Sequence, residues 1–209
     1  MSRFIESIKV EDQKIFLAEL HQKRMMETFA HFGSACELDI QSIFVNLKHN
    51  ENGLFKLRIE YDLDNHFTTK LIPYAISQHD DFELMMADEI DYSFKYADRR
   101  PIEKLKKESD AEEIIIVKEN HITDTSYSNL LFLKDKKWFT PSTYLLNGVM
   151  RQHLLTKKKI KEAEITLDNI KEFSHFQLIN ALNDFDETSI YSIESIINLP
   201  KEESDLDFG

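Results

Sequence analysis

The sequence predicts an α+β fold, or two α/β lobes, and three observations lead there. Alternation of apolar and polar residues recurs along most of the chain, which is the pattern of half-buried strands. Helical stretches are interspersed among the strands rather than gathered in one block. No internal repeat and no low-complexity linker divides the chain. Its 209 residues, 42% hydrophobic and 11% aromatic, suffice to bury a core.

Residues 4–10 (FIESIKV) alternate, and a short polar turn leads to residues 14–17, so the two predict a hairpin. Residues 18–31 lack proline and glycine and predict a helix that stops at Gly33. A short helix is expected over 39–47. Residues 54–62 and 66–76 alternate well and predict strands, with another at 82–87. Pro101 suits the first turn of a helix over 101–109. Residues 113–118 (EIIIVK) form an apolar run typical of a buried strand. Residues 129–134 and 137–139 predict a second hairpin through Asp135 and Lys136. A helix should begin near Gly148 and run to about 158. Strands at 162–166 and 175–180, with a short helix at 167–172 between them, complete the series. The boundary between two lobes is expected near residues 90–95, and the tail KEESDLDFG should be loose.

Composition narrows the function. Acidic residues outnumber basic ones, 38 to 26, for a net charge of −12. That balance argues against a general nucleic-acid binder, though it leaves room for a local basic pocket that takes a small anion. One cysteine, Cys36, supports neither a disulfide framework nor a cysteine-based zinc site. The eight histidines are scattered, so no metal site is expected. The start, MSRFIESIKVEDQ, shows neither an apolar signal core nor a twin arginine, and no run nears the ~18 apolar residues of a membrane span. A cytoplasmic protein without membrane attachment is expected. Phosphate-binding glycine motifs, H-E-x-x-H, C-x-x-C and G-x-S-x-G are all missing from the sequence.

Four separated segments remain, and each carries chemistry. His21-Gln22-Lys23-Arg24-Met25 places an arginine on the first helix, a rigid fork of donors suited to a phosphate. Lys95-Tyr96-Ala97-Asp98-Arg99 offers a primary amine, which can condense with an aldehyde and be released again. Ile122-Thr123-Asp124-Thr125-Ser126-Tyr127-Ser128-Asn129-Leu130-Leu131-Phe132 carries an acid and an asparagine five residues apart. Phe139-Thr140-Pro141 precedes Leu146-Asn147-Gly148-Val149-Met150-Arg151-Gln152, where a glycine opens a helix whose first amides can cradle an anion.

In this order the segments resemble the H-[LI]-x-R-L, K-x-x-x-R, [TS]-E-x-x-x-[ASE]-N-[LI]-F and T-P…L-x-G-[IV]-x-R segments of the class-IV aminotransferase and 4-amino-4-deoxychorismate lyase family. Asn180-Ala181-Leu182 sits where the lyases have an N-A-L loop. The resemblance covers about residues 20–27 and 93–183. It implies a fold-type-IV enzyme dependent on pyridoxal 5'-phosphate (PLP). Residues 1–92 would form a small N-terminal α/β lobe, and residues 93–209 a larger cofactor-binding lobe, mixed-sheet and barrel-like, with the acidic tail.

The resemblance also implies roles. Lys95 would hold the cofactor through a Schiff base, and Asp124 would face the pyridine nitrogen. Arg24, Gly148, Val149 and Met150 would bind the phosphate, with Asn129, Asn180 and Ala181 beside the cofactor. Arg99 would meet the substrate, a small amine, and a homodimer is implied. Three departures matter. Asp124 replaces the family's glutamate and is one methylene shorter. The family's initial strand pair with its [YF]-G-[DE]-G turn is missing, and Glu60-Tyr61-Asp62-Leu63-Asp64-Asn65 replaces a glycine-rich stretch. Both of the latter changes fall on the side that shapes the substrate pocket.

The reaction implied first is elimination of pyruvate from 4-amino-4-deoxychorismate to give 4-aminobenzoate for folate synthesis. An aminotransferase for branched-chain or D-amino acids is the alternative, sharing Lys95, Asp124 and Arg24. A shortened homologue without catalysis, surviving as a binding protein, is a third reading.

Overall fold

A computed structural model describes residues 3–185 and 189–200. The acidic tail expected to be loose lies outside the described residues. The first sheet contains β1 (Phe4–Glu11), β2 (Lys14–Ile15), β3 (Leu54–Tyr61) and β4 (Phe67–Pro73), all antiparallel in the order β2-β1-β3-β4. Alternation decides which face it buries. On β3, Phe55, Leu57, Ile59 and Tyr61 point into a core while Lys56, Arg58 and Glu60 point away. Helix α1 (Ala18–His31) lays His21, Met25, Thr28 and Phe29 against the apolar face, the stripe expected of helical spacing. Helix α2 (Ile40–Asn46) follows, capped by Asp39, whose carboxylate accepts from the Ser42 amide at 2.8 Å. Strand β4 stops at Pro73, three residues short of the expected end, on the outer edge where a residue without an N–H is tolerated.

The second sheet is centred on β6 (Glu113–Lys118), the apolar run EIIIVK. Ile115 and Val117 enter a core with Phe82, Leu130, Phe132 and Phe176, while Ile114 and Ile116 enter another with Tyr92, Ile102 and Leu145. Burial on both faces explains the run's lack of alternation. Strand β5 (Phe82–Met86) pairs with β6 in parallel; β7 (His121–Thr125) pairs on its other side, antiparallel. The sheet continues through β8 (Asn129–Lys134), β9 (Lys137–Pro141) and β10 (Lys161–Ala163), and β11 (His175–Ile179) and β12 (Tyr191–Ser192) branch from β8. Helix α3 (Arg100–Lys107) carries Ile102 into the second of these cores. Helix α4 (Val149–Thr156) packs Met150 and Leu154 against Leu131 of β8 and Ile179 of β11.

Three hairpins turn through two residues with positive φ: Asp12-Gln13, Glu119-Asn120 and Asp135-Lys136. Positive φ at both positions gives a turn whose twist matches the strands it joins. The expected helix at 167–172 is only a 3-10 turn, Ile170–Glu172. Strand β7 has no counterpart among the expected elements, because HITDT has no periodicity strong enough to mark a strand. The expected lobe boundary between residues 92 and 93 falls after β5, which belongs to the second sheet.

The sheets meet along β1. The Ile5 amide donates to the Lys95 carbonyl at 2.9 Å and the Ala97 amide to the Arg3 carbonyl at 2.8 Å, so residues 95–97 pair with the start of the first sheet. Phe4, fully buried, sits within 5.3–6.5 Å of the rings of Tyr96, Phe32, Tyr61 and Phe94. Removing that ring leaves a cavity at the seam, so Phe4→Ala is expected to cost about 3–5 kcal/mol. In a urea titration the midpoint should fall with the slope unchanged. A loss below about 1 kcal/mol would show that the seam does not depend on this contact.

Candidate active site

A cavity of about 380 Å³ opens where the two sheets and α1 and α4 converge. Arg24, Lys95, Arg99 and Asp124 line it, and so do Asn129, Gly148, Val149, Asn180 and Ala181. Nine of the ten residues singled out from the sequence therefore share one cavity. The tenth, Met150, turns its side chain into the core beneath α4.

Lys95 is held by its backbone at the seam, and its side chain is partly buried over the cavity. Burial, helped by the charge of Arg24, lowers its ammonium pKa to about 7. A substantial fraction is then the neutral amine near neutrality, the form that attacks an aldehyde or takes a proton.

Asp124 is buried in β7 and directly opposite Asn129 of β8. Its Oδ1 accepts from Asn129 Nδ2 at 2.7 Å; its Oδ2 accepts from the amides of Leu145 and Leu146 at 3.0 and 2.9 Å. Burial pushes its pKa up to about 6, and these three donors limit the rise. The second hydrogen of Asn129 Nδ2 goes to the Leu146 carbonyl at 2.8 Å. A Cβ on Gly148 would lie 2.0 Å from Asn129 Oδ1, so only glycine lets the start of α4 come this close. That contact, rather than an unusual φ, is why a glycine stands here.

Gly148 caps α4 without a side-chain hydrogen bond, so nothing from the side chain covers the first amides of the helix, beginning with Val149. A helix start in that state favours an anion. Asn180 shapes the neighbouring loop: its Oδ1 accepts from the Leu182 and Asn183 amides, and its Nδ2 donates to Ser128 Oγ at 2.8 Å.

Arg24 is pinned by a residue that sequence reasoning missed. Its Nε and Nη2 both donate to the carboxylate of Glu6, which is fully buried in β1 and also accepts from His21 Nδ1 at 2.6 Å. Burial alone would raise the Glu6 pKa, but Arg24 and His21 outweigh it and hold it at about 2. Burial keeps His21 below its ordinary value. A signal for Glu6 did exist. Phe4, Glu6, Ile8 and Val10 share one face of β1, and a carboxylate on a core-facing row must find partners. Held in this way, Arg24 still lines the cavity.

The residues present fit PLP. An amine and an acid, each with a shifted pKa, share the cavity with an uncapped helix start and a fixed guanidinium, and the glycine that brings α4 close has no room for a Cβ.

The family model for amino-transferase class IV matches residues 92–193, a span that holds every cavity residue named above except Arg24 and the residues that pin it. An uncharacterized protein of Haemophilus influenzae is 33% identical over 189 residues, covering 88% of this chain and 99% of that protein. A Haemophilus somnus protein provisionally designated a 4-amino-4-deoxychorismate lyase is similar in structure, with a TM-score of 0.82 and 30% identity, covering 88% of this chain and 98% of that one. A T.th. branched-chain amino acid aminotransferase, in complex with N-(5'-phosphopyridoxyl)-L-glutamate, shares the fold at a TM-score of 0.70 and 13% identity, covering 88% and 74%.

The lowered pKa of Lys95 has a stability consequence. Its folded value of about 7 lies below the ordinary lysine value of 10.5. The unfolded chain therefore binds more protons between those values, and stability rises with pH across that window. The cost of keeping the lysine is greatest below pH 7. Lys95→Met should then stabilise the cofactor-free protein by about 1–4 kcal/mol near pH 6, and the gain should fade toward pH 10. Melting curves of both proteins across this range provide the check, and a pH-independent difference would contradict it.

Proposed function

The chain belongs to the amino-transferase class IV family and has its fold-type-IV architecture, and on that premise we propose that it is a PLP-dependent lyase converting 4-amino-4-deoxychorismate to 4-aminobenzoate and pyruvate. One observation carries the reading: Lys95 and Asp124, an amine and an acid with pKa values of about 7 and about 6, line the same cavity as the uncapped start of α4. The 30% identity to the Haemophilus somnus protein supports the lyase over the transaminase.

When bound, PLP supplies a ring that takes up the electrons released at a substrate carbon. The chain's residues do the rest. Arg24 and the amides of Val149 and Met150 hold the phosphate end, combining a guanidinium with a helix start. Lys95 would hold the cofactor through its side-chain amine and, as the neutral amine, would take the proton from the substrate C–H. Asp124 keeps a proton on the pyridine nitrogen. Its Oδ2 is engaged by two amides, while Oδ1, with one bond from Asn129, retains a lone pair for that contact. A pyridinium beside it would draw the Asp124 pKa down and hold the carboxylate ionised. Asn129 and Gly148 position Asp124 against α4.

The proposal includes a homodimer, the usual assembly of this family and the commonest closed symmetry, and a location in the cytoplasm. Among the described residues no helix is long and apolar enough to cross a membrane. The alternative is a branched-chain or D-amino-acid aminotransferase. Release of 4-aminobenzoate and pyruvate against formation of a 2-oxo acid from an amino acid distinguishes the two.

Lys95→Ala should abolish the visible absorbance of lysine-linked PLP while the protein still folds, and borohydride should fix the cofactor to the Lys95 peptide of the unaltered protein. An unchanged band in the variant would remove Lys95 from this role. Asp124→Asn should keep the band and lower kcat by about 10²–10⁴-fold, the range of a lost acid–base contribution. Full turnover by that variant would leave Asp124 as a turn-fixing residue only.

A further inference from the structure

The charges lining the cavity do not balance. Among the described residues, five basic side chains line it, Arg24, Lys56, Lys95, Arg99 and Lys106, against one carboxylate, Asp124. This concentration of positive charge stands in a chain whose net charge is −12. Three of the five are accounted for. Arg24 is paired with Glu6. Lys106 Nζ lies 2.6 Å from Glu113 Oε2. Lys95 is the cofactor-bearing amine of the proposed function.

Arg99 and Lys56 are left over. Arg99 donates through Nη2 to the Ser126 carbonyl, and its Nε is buried without a hydrogen-bond partner among the described residues. Its position is rigid, because Ser126 is itself fixed: the amide and hydroxyl of Ser126 both donate to the buried Glu113 carboxylate at 3.0 Å. A half-buried guanidinium fastened to a carbonyl, with its Nε–H buried and unpaired, suits an anion.

Lys56 comes from the other sheet. It stands on the polar face of β3, directly across from Lys9 of β1. Like charges opposite one another on a sheet destabilise it. Lys9 is relieved by Glu11 and Asp184 at 3.1 and 2.7 Å. Lys56 has no acid within ion-pair distance among the described residues; its ammonium lies 5.6 Å from the centre of the Tyr74 ring. Tyr74 lines the cavity beside it, as does Tyr127, whose hydroxyl lies 2.8 Å from His79 Nε2.

We propose that Lys56 and Arg99 form a second anion subsite, distinct from the phosphate end at Arg24 and α4, and that this pair selects an amine bearing two carboxylates. One carboxylate meets the guanidinium and the other the ammonium, with a planar body against the tyrosine rings. The assignment rests on the proposed function for which end of the cavity takes the phosphate. A branched-chain amino acid, with one carboxylate, would leave one of the two cations unpaired.

The test uses the PLP-loaded protein and two unreactive probes, benzoate and isophthalate (benzene-1,3-dicarboxylate), with binding read by titration calorimetry. Neither probe has an amine, so binding is read without turnover. Isophthalate should bind at least about tenfold more tightly than benzoate, the gain from one further partly buried charge pair. Lys56→Met should remove most of that preference while benzoate affinity changes little, and Lys56→Arg should retain it. Arg99→Lys, which keeps the charge but loses the fork, should weaken isophthalate binding. Melting temperatures of the variants show that each is folded. Equal affinity for the two probes, or a preference that survives Lys56→Met, overturns the subsite. The two claims fail separately: dicarboxylate preference without 4-aminobenzoate formation sinks the reaction and keeps the subsite, and 4-aminobenzoate formation without the preference does the reverse.

Discussion

Keeping ionised side chains stable away from water is the constraint that organises this molecule. A guanidinium, an ammonium and two carboxylates lie buried or nearly so where the sheets meet, and each would be costly alone. Glu6 and Arg24 solve the problem as a pair, with His21 supplying a further donor to the carboxylate. Asp124 solves it with three hydrogen bonds from uncharged groups, which satisfy the carboxylate without neutralising it. Lys95 has no such relief and gives up its proton more readily instead. The different solutions spread the pKa values, Glu6 at about 2 but Asp124 at about 6 and Lys95 at about 7, and groups poised near neutrality are what acid–base chemistry requires.

Much of the secondary structure can be understood as the support for these solutions. Strand β6 is apolar on both faces because it carries β7, and so Asp124, on one side and separates two cores. Strand β8 brings Asn129 opposite Asp124, and its Leu131 is the surface on which α4 rests. The start of α4 then lies against Asn129 with no space for a side chain at Gly148. The geometry of Asp124 and that of the helix start are thus set by the same residue. The Lys95 segment is fixed independently, by pairing with β1 of the other sheet. Movement between the sheets would separate Lys95 from Asp124, which gives the aromatic cluster around Phe4 its importance.

The relatives place this economy in a family. The chain spans 99% of the Haemophilus influenzae relative and 98% of the Haemophilus somnus one, but 74% of the branched-chain aminotransferase whose fold it shares. The matched family span begins at residue 92 and leaves out β1 and α1, yet Glu6 and Arg24 come from those two elements.

What the sequence determined by itself was mostly local. Helix α1 matches its expected limits because fourteen residues without proline or glycine decide their own conformation. The strands at 54–61 and 113–118 were legible because alternation and an unbroken apolar run are local patterns. The segments around Arg24, Lys95, Asp124 and Gly148 were legible as chemistry because residue types at short spacings carried the resemblance, and the structure gathers them around one cavity. Strand β7 was not legible, since HITDT becomes a strand only by pairing with β6. Nor was the partner of Arg24, since Glu6 lies eighteen residues away on another element. The steric need for Gly148 depends on Asn129, and the pKa values of Lys95 and Asp124 depend on burial by segments far apart in the chain. Propensity and spacing are properties of neighbours in sequence; desolvation, charge pairing and close approach belong to neighbours in space, and only the tertiary structure decides who those are.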